Sequence, residues 1–130
     1  MVEGLDELEV VTLFVEDVQA CKAFYAAVLG LEVVYENADS AVVTLRNLMI
    51  NLLTVENAPT LVEPATVRAP GAGSRALFTI RVDDVDTTAA ELERHGVSLL
   101  NGPVDRPWGR RTAAFTDPAG NTWEIAQIVG

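Results

Sequence analysis

The stretch Phe115–Gln127, FTDPAGNTWEIAQ, decides how the rest of the chain reads. It is two strands joined by a tight turn: Asp117-Pro118 opens the turn, and Gly120-Asn121 supplies the positive φ that closes it. Beyond the turn, Thr122, Glu124 and Ala126 share one face, and Trp123, Ile125 and Gln127 the other. Glu124 is thus a carboxylate in mid-strand among apolar neighbours. A group so placed is either part of a ligand site or a structural acid satisfied by nearby donors.

Upstream, Arg106–Thr116 reads as one strand, with Trp108 on it and Arg110 and Thr112 sharing the Trp108 alternation. Val97–Leu100 reads as a short strand and Asn101-Gly102-Pro103 as a turn. Arg75–Val82, RALFTIRV, is a strand. A helix over Val85–His95 follows, with Val85, Ala89 and Leu92 on its inner stripe and Asp83, Asp84 and Asp86 at the positive end of its dipole. Gly96 ends it. The order is β-α-β-β-β.

The N-terminal half repeats that order. Leu8–Val15, LEVVTLFV, is a strand with Leu8, Val10, Thr12 and Phe14 on one face and Val11, Leu13 and Val15 on the other. Both faces are apolar enough to be covered. Glu16-Asp17 offers an N-cap to a helix over Val18–Leu29, closed by Gly30. Leu31–Glu36, Ser40–Arg46 and Leu48–Val55 are three more strands, and Met49, Asn51 and Leu53 share a face of the last. Glu16-Asp17-Val18 and Asp83-Asp84-Val85 mirror one another, the mark of an internal repeat. The expected fold class is α+β: two βαβββ modules over about residues 8–55 and 75–128 of one 1–130 domain, with curved, largely antiparallel sheets and outer helices. Residues 56–74, with three prolines and two glycines, form the connection, locally ordered around Leu61 and Val62.

Composition excludes several classes. Nineteen acids against nine bases give a net charge of −10, unsuited to nucleic acid, whose phosphates need a basic face. Such a surface is either a solvated acidic coat or a field that steers a cationic ligand. No apolar run reaches the length of a membrane helix, and the acidic MVEGLDELE lacks the character of a secretory signal. One cysteine, Cys21 on the inner helix stripe, suits a reducing cytoplasm and reads as an inert buried thiol. The single histidine, His95, sits at a helix C-terminus, where the dipole favours it.

Two βαβββ units carrying FVEDVQACKAFYAAVLGLEV, VDDVDTTAAEL and PWGRRTAAFTDPAGNTWEI resemble the vicinal oxygen chelate superfamily, which includes glyoxalase I, extradiol dioxygenases, fosfomycin-resistance enzymes and bleomycin-resistance proteins. The resemblance runs from about Leu8 to Gln127 and implies the fold more than the activity. In metal-dependent members, four inward positions supply His, Glu, His and Glu. The matching positions here are Val10, Asn51, Leu77 and Glu124, and Glu124 alone keeps a ligand of the family type. Transition metals prefer His, Cys and carboxylate donors, so no metal and no other cofactor is expected.

The resemblance also implies a concave surface presenting Val10, Thr12, Met49, Asn51, Leu53, Leu77, Thr79, Glu124 and Ala126, apolar with a few convergent polar groups. Trp108 either stacks on a planar ligand or packs as core. Arg110 pairs with Glu124, with an anionic ligand, or with solvent-exposed acids. Glu124 is the only catalytic candidate, as acid, base or cation anchor; its structural alternative is to accept from Asn51 or Arg110. Three functions follow. The first is a metal-free protein resembling bleomycin-resistance proteins that sequesters a cationic aromatic antibiotic. The second is a lyase- or dioxygenase-like enzyme using Glu124 with an atypical metal or as general base. The third is a metabolite sensor or accessory subunit. Family members pair modules within a chain or between chains, so a homodimer with shared pockets is expected.

Overall fold

The computed structural model describes residues 2–130; Met1, which begins the acidic N-terminal stretch, lies outside the described residues. The chain forms two compact units, residues 1–68 and 69–130, with the boundary inside the Pro/Gly-rich connection. In the first unit, β1 (Val10–Val15) leads into α1 (Val18–Ala23), which widens into a π turn over Phe24–Val28, then β2 (Glu32–Glu36), β3 (Ser40–Thr44) and β4 (Met49–Thr54). The connection opens on a 3-10 turn over Val55–Asn57 and holds one α-helical turn, α2 (Pro59–Val62), where local order is expected. The second unit runs β5 (Leu77–Arg81), α3 (Val85–Arg94), β6 (Asn101–Arg106), β7 (Arg110–Thr116) and β8 (Thr122–Ile128).

Each unit is a four-stranded sheet, ordered β1-β4-β3-β2 and β5-β8-β7-β6. The helix carries the chain from one edge to the other, and a meander brings the last strand back beside the first. That last ladder is therefore parallel, β1 with β4 and β5 with β8, while the other pairs are antiparallel. The fold class is α+β, as the pattern of elements implies.

The two units share one register. Asp17 caps α1 by accepting the Ala20 N–H at 3.0 Å, and Asp84 caps α3 by accepting the Thr87 N–H at 3.2 Å. Counting back from these caps, Thr12 corresponds to Thr79, Val10 to Leu77 and Phe14 to Arg81. Thr12 pairs with Asn51 and Thr79 with Glu124, so Asn51 and Glu124 hold equivalent places.

One face of each sheet is closed by its helix. In the first unit, Leu13, Val15, Ala41, Val43, Ile50 and Leu52 are buried with Val18, Cys21 and Tyr25 of the helix. In the second, Val85, Ala89 and Leu92 of α3 are buried, as are Ala113, Phe115, Trp123 and Ile125 on the strands. Each large aliphatic or aromatic side chain so buried contributes about 1.5–3 kcal/mol. The α3 helix is tied down further: its Val85 N–H donates to Gln127 Oε1 at 2.9 Å, and Asp86 pairs with Arg111 of β7 at 2.9 Å.

Four local expectations need correction. Only one face of β1 is closed; Val10 on the other is 37% exposed, with Thr12 and Phe14 half-buried. The α-helical part of the first helix ends at Ala23, and Leu29 donates five residues back to Phe24. Gly120 alone takes positive φ in the β7–β8 turn; Asn121 instead donates from its backbone and side chain to Asp117. The largest shift concerns β6. Val97–Leu100 is not a strand; β6 begins at Asn101 and includes Gly102 and Pro103, residues expected in a turn. The ladder with β7 slips between Asn101 and Val104 to accommodate them. Proline is tolerated because β6 is an edge strand. Gly102 is required twice over: its φ is +82°, and a Cβ there would overlap the Thr112 carbonyl oxygen and stand 2.8 Å from the Ala113 Cα. Among the described residues, no helix is long and apolar enough to cross a membrane.

Candidate functional site: two open strand faces

The face of each sheet turned away from its helix remains open. In the first unit, β1 contributes Val10, Thr12 and Phe14, and β4 contributes Met49, Asn51 and Leu53, paired residue for residue in the order Val10 with Met49, Thr12 with Asn51 and Phe14 with Leu53. Val42 and Thr44 of β3 continue these rows opposite Asn51 and Met49. Apart from the exposed Val10, all are half-buried. This face is apolar with an amide and two hydroxyls.

The second open face has the same layout and different chemistry. Leu77, Thr79 and Arg81 line β5, and Thr122, Glu124 and Ala126 stand beside them on β8. The rows continue onto β7 with Thr116, Ala114 and Thr112. Leu77 is 51% exposed, whereas Thr112, Ala114 and Ala126 are buried, so small side chains form the floor. Thr79 Oγ1 donates to Glu124 Oε1 at 2.9 Å. At the top of the face the Ser74 and Thr122 hydroxyls are hydrogen-bonded to one another. At the other end Arg106 reaches back across the strands, its Nε donating to Thr112 Oγ1 at 3.0 Å and its Nη2 to Asn101 Oδ1 at 3.2 Å.

The anchor of this half is Asp117. Its side chain is 3% exposed and accepts from the Ala119 and Asn121 N–H groups and from Asn121 Nδ2 at 2.8–2.9 Å. That ring of bonds fixes the β7–β8 turn and hence the register that aims Glu124 at Thr79.

The residues expected to line a site therefore fall into two groups. Val10, Thr12, Met49, Asn51 and Leu53 lie together on the first open face; Leu77, Thr79 and Glu124 lie together on the second, with Arg110 at its far end opposite Ile128. The partner of Glu124 is Thr79, not Asn51 or Arg110; Arg110 Nη1 instead donates to the Gly109 carbonyl at 3.4 Å. Trp108 is not on a strand. It occupies the β6–β7 turn, 68% exposed, because the strand expected over 106–116 is broken at Pro107–Gly109. It is therefore not a core residue. Arg81 and Arg106 were missed. Arg81 is visible in the alternation after Thr79, and Arg106 only once the PWG turn is recognised.

The donor set does not fit a transition metal. Val10 and Leu77 carry no donor atom, Asn51 offers an amide, and Glu124 is a single carboxylate. Among the described residues, no group of three or more His, Cys, Asp or Glu side chains is placed to hold a metal ion. Cys21 is buried in the first core, and His95 is exposed at the end of α3.

Paired βαβββ modules, each with one helix-covered and one open strand face, define a class of ligand-site scaffold. The chain belongs to the Glyoxalase/Bleomycin resistance protein/Dioxygenase superfamily, whose family model matches residues 7–125. It is 32% identical over 123 residues to the uncharacterized protein YraH of Bacillus subtilis, covering 92% of this chain and 96% of YraH. A glyoxalase/bleomycin resistance protein/dioxygenase from Nocardioides has a similar structure, with TM-score 0.86, 20% identity, and coverage of 98% of this chain and 87% of that one. TnmS3, an antibiotic binding protein from Streptomyces sp. CB03234, is similar at TM-score 0.73 and 25% identity, covering 98% of this chain and 99% of its own.

Proposed function

We propose that the chain binds a small organic molecule on its open strand faces without a metal ion, and acts by holding that molecule rather than transforming it. The donor set carries this reading: of Val10, Asn51, Leu77 and Glu124, only Glu124 offers a metal ligand, and it is engaged by Thr79. The similarity to TnmS3 supports an antibiotic or comparable aromatic compound as the ligand. The chain works as a two-fold homodimer with equivalent sites, each lined by Val10, Thr12 and Asn51 of one protomer and Leu77, Thr79, Trp108 and Glu124 of its partner. The long Pro/Gly-rich connection and the prevalence of two-fold pairing support that assembly. A reducing cytoplasm suits its one buried thiol.

Elemental analysis of purified protein, followed by a thermal-shift screen of aromatic small molecules with and without chelator, tests the reading. The expected result is chelator-independent stabilisation by at least one compound and no stoichiometric zinc, nickel or iron. One tightly held metal per chain that vanishes in Glu124→Gln would overturn it. Light scattering checks the dimer, which a monomer at micromolar concentration would rule out. A second reading, general acid–base catalysis by Glu124, draws on its half-buried position and the absence of a protein partner for Oε2 among the described residues. Turnover of a bound compound, abolished in Glu124→Gln, would favour it.

A further inference from the structure

Three arginines lie on the second open face: Arg81 at the end of β5, and Arg106 and Arg110 on either side of the β6–β7 turn. Among the described residues none of the three has a carboxylate partner. Arg106 is held by the neutral Thr112 and Asn101 side chains, and Arg110 donates only to a backbone carbonyl. The chain has nineteen acids for nine bases, so partners are not scarce. The closed face shows the alternative. Arg111, the next residue along, is bracketed by Asp86 at 2.9 Å and Asp105 at 3.1 Å, which hold its guanidinium above the ordinary range.

Arg106 and Arg110 are also direct cross-strand partners. Like charges directly opposite one another destabilise a ladder. The two hydrogen bonds on Arg106 nevertheless fix its planar group over the floor of the face. A local arrangement that opposes stability, yet is held in place, marks a surface with another use. Trp108 stands exposed at the tip between the two arginines, adding a flat apolar ring where no core needs one.

We infer that this end of the second open face is a subsite for an organic anion bearing a planar ring. Its carboxylate or phosphate rests on the guanidiniums of Arg106 and Arg110, with Arg81 nearby, and its ring lies against Trp108. The guanidinium fork matches both anions in geometry. The inference rests on the small-molecule-binding reading and sets an anionic ligand in place of the cationic one that the acidic composition led us to expect. The net charge of −10 acts at long range and is screened beyond about 8 Å at physiological salt. At contact, the ligand meets three guanidiniums against the one carboxylate of Glu124.

Calorimetric titration of the full-length protein with naphthoate, naphthyl phosphate, naphthylmethylamine and inorganic phosphate tests this. The chain's own fluorescence provides a second readout, because Trp108 is exposed and Trp123 is buried. The expected result is that one or both aromatic anions bind, more weakly at high salt, with a change in emission that Trp108→Phe removes. Comparing the two identifies which anion the arginines prefer. The amine and inorganic phosphate should bind at least about tenfold more weakly, and Arg110→Gln should weaken anion binding by about the same factor. Arg106 braces its neighbours, so Arg81→Gln and Arg110→Gln, which cut no side-chain network, carry the test. Amine binding as tight as naphthoate, or undiminished naphthoate affinity in the Arg81→Gln/Arg110→Gln double variant, overturns the anion subsite and leaves the small-molecule reading standing. Silence toward every probe and toward the whole thermal-shift screen overturns both.

Discussion

The two modules are alike on their closed faces and unlike on their open ones. Thr12 beside Asn51 becomes Thr79 beside Glu124, Phe14 becomes Arg81, and Val42 gives way to Ala114 at the matching row. The closed faces keep the same logic: an Asp cap, a helix stripe, and alternating buried strand residues. The difference teaches which constraints are shared. Burial against a helix restricts a residue to apolar types of suitable size, whereas a face without such cover can change from amide to carboxylate or from phenyl to guanidinium at little cost to the fold.

The largest effects should come from where the modules agree. Leu52→Ala in the first core should cost about 2–5 kcal/mol and Phe115→Ala in the second about 3–5 kcal/mol, since both are fully buried. Urea denaturation measures this, and near-neutral behaviour in one module would break the equivalence of the closed faces. Next comes a place where they diverge. Each outer strand has an irregular register, between Val33 and Tyr35 in β2 and between Asn101 and Val104 in β6. Only the second is built on a glycine in close contact with backbone. Gly102→Ala should lose about 2–4 kcal/mol, while Val34→Ala, at an exposed position, should stay within about 0.5 kcal/mol. Equal effects would mean that the two irregularities are the same device.

The smallest effect sharpens the comparison at the caps. The Asp84 carboxyl is held below its ordinary value of 3.8, first by the hydrogen bond from the Thr87 N–H and then by the Thr87 hydroxyl, with help from the Asp86 N–H and the Arg111 charge against the desolvation that raises it. A folded value below the unfolded one stabilises the chain above the ordinary Asp range, and that contribution fades as the pH falls through the lowered value. Thermal melts between about pH 6 and about pH 3 should therefore show a steeper acid loss in the native chain than in Asp84→Asn, which keeps a neutral cap. Identical slopes would remove Asp84 as an acid-sensitive cap.

The fold was legible because its signals are local. Glu16-Asp17-Val18 and Asp83-Asp84-Val85 announce helix starts, and the family resemblance implies one face for Thr79 and Glu124. The position of β6 was not legible. Gly102-Pro103 has the chemistry of a turn, and only the edge position of the strand, a property of the assembled sheet, makes it admissible within one. That single misplacement put Trp108 on a strand and hid the opposition of Arg106 to Arg110. Thr79 as the partner of Glu124 was equally hidden, because the parallel pairing of β5 with β8 brings together residues far apart in the chain.

Each sheet takes all its strands from one contiguous segment, and this bears on how the protein is made. Nothing needed for the first sheet is encoded after Thr54, so the first module can close its hydrophobic face while the second is still being translated. A four-stranded sheet with a packed helix has the minimum parts for independent stability. Ribosome-bound chains stalled with Arg68 outside the tunnel should thus already resist limited proteolysis across β1 to β4, and cleavage throughout that region would show that the first half waits for the second. If the protection is seen, the nascent chain hides its first apolar surface early, and the time it spends exposed to misassembly is set by half its length.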